Sequence, residues 1–178
     1  MAELTLNKVT AIDPIQEFNS LLNDLIHINY ERTKTLKKAI ALLKDEDGDL
    51  IPILDQMIMD CRDNIRNLKC LDFSKGKFSV EMPEKLLINY EDEDAILKTG
   101  PLFANWLKEC PAFQGNERHA ILEVCEIREN ASIRAYEDAQ SHSSLQNSNP
   151  VIQRDLDIQL TFIKNALKRL HNLNKIWH

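Results

Sequence analysis

Glycine and proline are scarce in this chain, at 4 and 6 of 178 residues. Tight turns draw on both, so the composition argues against an all-β sandwich or barrel built from many hairpins. Four glycines also leave little material for a phosphate-cradling loop, and no P-loop, GxGxxG or GxSxG occurs. The four cysteines (Cys61, Cys70, Cys110 and Cys125) form no CxxC or other zinc spacing. No run approaches the roughly 18 apolar residues of a membrane-spanning helix. The opening MAELTLNKVT lacks a basic stretch followed by an apolar one, so no signal peptide is expected. An excess of positive charge is lacking too: 22 Lys and Arg stand against 28 Asp and Glu, for a net charge of −6. Nothing in that balance favours nucleic acid or an anionic membrane as a partner. The expected setting is soluble, reducing and cytoplasmic.

What the chain does have is apolar residues, 43% of the total, and charged ones, 28%. That supports one domain with a sizeable core. Four segments show apolar residues at steps of three and four, the period of an amphipathic helix. The first spans about 13–43, with a stripe from Ile15 and Phe18 through Leu25 and Leu36 to Leu43. Asp13 and Pro14 supply an N-cap and a proline at the first helical position. The second spans about 50–68, after the acidic turn DEDGD. The third spans about 116–140, with Asn116 as its candidate cap, and its stripe includes Cys125, Ser132 and Tyr136. The fourth spans about 150–177, opened by Asn149-Pro150 and closed by Trp177 as a terminal plug of the core or a dimer contact.

Short connections make the first and second helices, and the third and fourth, antiparallel neighbours. The second connection is the polar SHSSLQNSN. Between the pairs lies a crossover of about 69–115, too long to be structureless inside a compact domain. Within it, Pro101–Cys110 reads as a short helix with Phe103, Trp106 and Leu107 on one side. Lys77–Val80 has some strand character, and Glu91–Asp94 is an acidic run. The predicted fold is all-α: a ferritin-like four-helix bundle of two helical hairpins joined by a long crossover with a short extra helix.

That plan raises the question of a metal. Di-iron sites of this architecture take a Glu from each of two helices and Glu-x-x-His from each of the other two. No histidine here has a Glu three residues before it; only His27 has a carboxylate there, Asp24. At about 100° per residue, Asp24, His27 and Glu31 lie more than about 100° from the centre of the first stripe. They are expected to face solvent or a partner. Polar residues on the core side are more informative: Asn29 and Arg32, Asn64 with Asp60 near the edge, Arg128 with Glu129 at its flank, and Gln159. They suggest an interior polar layer at one level, or a rim where the arginines snorkel to water. Two arginines oppose a cation, since they cannot be deprotonated. In a layer they would pair with Glu129 and Asp60, or reach for an anion. Of Glu123, Glu126 and Glu129, only Glu129 is expected to point inward.

The stretch ILEVCEIRENASIRAYEDAQ, Ile121–Gln140, resembles the third helix of a bacterial ferritin-like four-helix-bundle family of unknown function. That family shows Cys-Glu-x-x-Glu and then Tyr-Glu, here Cys125, Glu126, Glu129, Tyr136 and Glu137. PLFANWLK (Pro101–Lys108) looks like its short aromatic crossover helix, LLNDLIHINYE (Leu21–Glu31) is similar to its opening helix, and Gln159 resembles a Gln of its last. The resemblance implies the bundle fold and, for some relatives, stress-related roles. Two departures stand out: Arg128 replaces a glycine, and no carboxylate follows Asp157.

The leading expectation is a non-enzymatic interaction or stress-related protein without a cofactor, partnered by another protein or a second copy of itself. A metal-binding protein or oxidase holding iron or manganese through Asp60, Glu129, Asp24, His27 and Glu31 is the first alternative. A carrier of a small anionic ligand, using Arg32 and Arg128, is the second. The basic residues of the last helix (Arg154, Lys164, Lys168, Arg169 and Lys175) either offer a face to an acidic partner or complement the acidic crossover.

Overall fold

Helix starts follow local chemistry. The Asp13 side chain accepts the Ile15 N–H at 3.0 Å and Pro14 occupies the first turn, opening α1 (Pro14–Leu42). The acidic turn that follows winds into a short 3-10 segment, Asp45–Leu50, whose Leu50 is wholly buried. It runs into α2 (Ile51–Cys70), with Pro52 in its first turn. The crossover helix is α3 (Pro101–Glu109), and α4 is Arg118–Ser141. A four-residue helix, α5 (Ser143–Gln146), precedes α6 (Pro150–Lys175), which opens with the Asn149 side chain accepting the Val151 N–H at 2.9 Å.

The computed structural model describes residues 13–71 and 99–176. The strand-like Lys77–Val80, the acidic run Glu91–Asp94 and Trp177 lie outside them. Among the described residues every regular element is helical, and no helix is long and apolar enough to cross a membrane. Three local expectations are corrected. Asn116 does not cap α4; Glu117 holds that position without a side-chain cap bond. The polar loop SHSSLQNSN is not irregular throughout, because Leu145 anchors α5 in the core at 2% exposure. Ile15 begins the sequence stripe yet stands 63% exposed, and the buried face of α1 starts at Phe18.

Helix α1 packs along α2, and α4 along α6; contacts of α1 with α4 and of α2 with α6 close the ring. Rising positions on α1 meet falling positions on α4 (Asn29 with Tyr136, Arg32 with Glu129, Thr35 with Arg128), so these helices are antiparallel. Helix α2, the return limb of the first hairpin, therefore runs in the same direction as α4. The core divides into two apolar clusters. One contains Leu25, Leu68, Trp106, Ile152 and Leu156; the other contains Leu36, Leu54, Cys61, Ile121 and Leu170. Buried polar side chains lie between them. At the far end of the second cluster, Arg118 clamps the 3-10 segment to the start of α4. It donates to Asp49 at 2.7 and 2.8 Å and to Asp47 at 3.2 Å.

Candidate functional site

Each long helix contributes to a buried layer between the two clusters. From α1 come Asn29 and Arg32, one turn apart and so on one face. From α2 comes Asn64, from α4 Glu129 and Tyr136, two turns apart, and from α6 Gln159. None is more than 3% exposed. Arg32 is the hub. Its Nε donates to Glu129 Oε1 at 3.0 Å and its Nη2 to Oε2 at 2.6 Å, a bidentate pair sealed from water. Its Nη1 donates to Asn29 Oδ1 at 2.7 Å.

From there the hydrogen bonds run in one direction. Asn29 Nδ2 donates to the Tyr136 hydroxyl at 2.7 Å and to the Leu25 carbonyl at 2.8 Å. Tyr136 donates in turn to Gln159 Oε1 at 2.8 Å. Asn64 Nδ2 reaches Asn29 Oδ1 at 3.4 Å. Burial pushes the Tyr136 phenol above its ordinary range, keeping it a neutral donor at pH 7. Burial also pushes the Cys61 thiol up to about 11 and the Cys125 thiol up to about 12. Both stay protonated at neutral pH and pack as small apolar groups.

The structure therefore brings together Asn29, Arg32, Asn64, Glu129 and Gln159. Glu129, expected at a flank, is fully inside. Two residues assigned to the same layer stand elsewhere. Asp60 is half-buried and accepts from the Gln56 side chain at 2.9 Å rather than from Arg32 or Arg128, whose donors go elsewhere. Arg128 is half-buried, neither in the layer nor snorkelling free. Its Nε and Nη2 donate to the Pro111 carbonyl at 3.1 and 2.8 Å, and its Nη1 to Thr35 Oγ1 at 2.8 Å. It ties the end of the crossover to α4 and α1. The two guanidiniums thus serve separate partners.

Asp24 is the largest correction. Expected to face solvent or a partner, it is 1% exposed and covered by α3 of the same chain. Its Oδ1 accepts the Gly100 N–H at 2.6 Å and its Oδ2 the Phe103 N–H at 3.1 Å. A carboxylate of α1 thus caps the start of α3, where free N–H groups and the helix dipole favour negative charge. His27, half-buried, meets the Phe103 ring edge-on at 5.9 Å, and Glu31 pairs with Lys34 at 3.2 Å. Among the described residues no group of three or more His, Cys, Asp and Glu is placed to hold a metal ion.

Sequence reasoning left Tyr136 as an ordinary stripe residue, although its hydroxyl joins α1 to α6. The available signal was its place two turns after Glu129 on a core face, where a buried tyrosine hydroxyl needs a partner. Ser132 was missed in the same way; its Oγ accepts the Trp106 indole N–H at 3.0 Å and fixes α3 on α4.

In chemical terms the layer is a hydrogen-bonded chain that runs from the ion pair through Asn29 and Tyr136 to Gln159. Both Glu129 oxygens are directed at a guanidinium, so the one inward carboxylate of α4 is engaged by a cation that the chain itself supplies. Comparisons with family models, with curated proteins and with solved structures return no match for this chain.

Proposed function

We propose that this chain is a cytoplasmic, non-enzymatic protein of the ferritin-like four-helix-bundle type, acting through contact with a protein partner, in a stress-related setting for the family it resembles. In this reading the position that a dinuclear metal centre would occupy is filled by a charge-paired polar layer. One observation carries it: Arg32 donates through Nε and Nη2 to both oxygens of Glu129, at 3.0 and 2.6 Å, inside the core. A metal ion at Glu129 would have to displace a guanidinium that stays charged at any physiological pH. Asp24, Asp60 and Glu31, the other carboxylates of the alternative ligand set, are turned to backbone N–H groups, to Gln56 and to Lys34. The parallel course of α2 and α4, joined by a long crossover, supports the bundle type.

The test is elemental analysis of protein purified without chelator. The expected result is iron and manganese far below one equivalent per chain, unchanged by Glu129→Gln. A stoichiometric metal complement that disappears on Glu129→Gln overturns the reading in favour of a metal-binding protein or oxidase.

A further inference from the structure

A groove of about 320 Å³ opens between α2 and α6 on the outer side of the polar layer. Its floor holds Gln159 and Asn64, both buried, and its side walls include Ile158 and Phe162. Asp60 and Asp63 stand at its rim.

The floor is not chemically complete. Gln159 Oε1 is taken by the Tyr136 hydroxyl, while Gln159 Nε2 is buried and has no hydrogen-bond partner among the described residues. The amide cannot turn over without loss. Tyr136 already accepts from Asn29, so its proton must go to Gln159 Oε1; reversing the amide would strand that proton. The orientation of Asn29 is set in turn by Arg32. The ion pair thus fixes, through three side chains, the amide of a residue that lines the groove, with its N–H buried beneath the surface. Burying such a donor is costly unless something supplies an acceptor.

The rim asks for the opposite charge. Arg66 pairs with Asp63 at 2.7 Å, whereas Asp60 is met by the uncharged Gln56 amide and keeps the rim negative. A free anion would satisfy Gln159 and be repelled by Asp60. A metal cation would satisfy Asp60 and meet an N–H at the floor. The walls add a third demand, since Phe162 and Ile158 are 50% and 43% exposed, large apolar side chains left in water.

We propose that this groove binds a short basic peptide segment of a partner protein: a backbone carbonyl on Gln159 Nε2, a lysine or arginine side chain at Asp60, and an apolar side chain on Phe162 and Ile158. A peptide offers acceptor, cation and apolar group within a few residues, and the volume falls within the usual range of binding pockets. This deepens the interaction reading and rests on it, by giving the partner a chemistry.

The test titrates 15N-labelled full-length protein with acetyl-Leu-Lys-Leu-amide, and in parallel with acetyl-Leu-Glu-Leu-amide. The lysine peptide is expected to shift the Gln159 side-chain amide and the Asn64 resonances; the glutamate peptide is not. Asp60→Asn weakens the response about threefold, and Phe162→Ser about fivefold. Neither side chain is in the core, so both variants fold, which their undisturbed spectra verify. No shift at the Gln159 amide, an equal response to the glutamate peptide, or indifference to both substitutions overturns the proposal and leaves the groove to water. Metal analysis of the same sample reports separately on the function proposed above, so the two failures are distinguishable.

Discussion

At the scale of single residues, the Arg32–Glu129 pair decides the character of the interior. Moving two charges out of water costs several kcal/mol each, and their attraction recovers this only with good geometry and further hydrogen bonds. The bidentate contact and the Asn29 bond meet that condition. For such a pair, losing one partner is far more costly than losing both. The expected outcome is asymmetric. Glu129→Ala leaves a buried guanidinium unmatched and costs about 3–5 kcal/mol. Replacing both residues together, by Arg32→Met with Glu129→Leu, is expected to leave stability within about 1 kcal/mol of the parent or to raise it. Urea unfolding of the three proteins checks this; a double variant as unstable as the single one would show that the pair stabilises on balance.

At the scale of elements, α3 is the part most dependent on a few contacts. Nine residues are too few to hold a helix in isolation, so its order comes from packing and capping. Asp24 caps its start, the indole of Trp106 is bonded to Ser132, and Phe103 lies between the Trp106 and His27 rings. Gly100 is required by proximity: an added Cβ would come within 2.8 Å of Asp24 Oδ2 and of Ser20 Oγ. Gly100→Ala and Asp24→Ala are each expected to cost about 1–3 kcal/mol. Amide exchange should accelerate in 101–109 well before it does in α4; uniform acceleration along the chain would contradict the assignment. His27 makes the same seat sensitive to pH. Burial holds its pKa below the ordinary 6.5, with Asp24 and Glu31 opposing but not reversing the effect. The folded state then binds the proton less readily than the unfolded one. This contribution is present above 6.5 and is lost as pH falls through the depressed folded value. Thermal midpoints are expected to fall between about pH 7.5 and pH 5.5, and His27→Gln should flatten that dependence; an unchanged slope would remove His27 as its source.

At the scale of the whole molecule, the polar layer separates two apolar clusters that share the four long helices without sharing side chains. Leu156 and Leu54 are each 1% exposed, one in each cluster. Truncating either to alanine is expected to cost about 2–5 kcal/mol. Because the sites have no common partner, the double variant should equal the sum of the two within about 0.5 kcal/mol. Chemical denaturation of the four-protein cycle measures the coupling. A coupling energy above about 1 kcal/mol would mean that the layer transmits packing strain from one cluster to the other.

Local chemistry alone determined most of the helical framework. Asp13-Pro14 and Asn149-Pro150 open α1 and α6 where the capping rules place them, and apolar steps of three and four mark the long helices, since period and cap depend on neighbours a turn away. Asn29, Arg32, Asn64 and Gln159 were legible as inward polar positions for the same reason: a helical wheel assigns a face from one segment. Which side chain meets which is a different matter. Arg32 could be seen to face inward, but its choice of Glu129, and the capture of Arg128 by Pro111 and Thr35, depend on the relative height of helices 93 to 97 residues apart in sequence. Asp24 shows the limit most clearly. Its face is polar by the periodicity of α1, yet α3 comes from the crossover to lie on it, and a carboxylate assigned to solvent or a partner becomes a buried cap. A face is a property of one helix; a partner exists only once separate helices have been brought together, and that is what the tertiary structure decided.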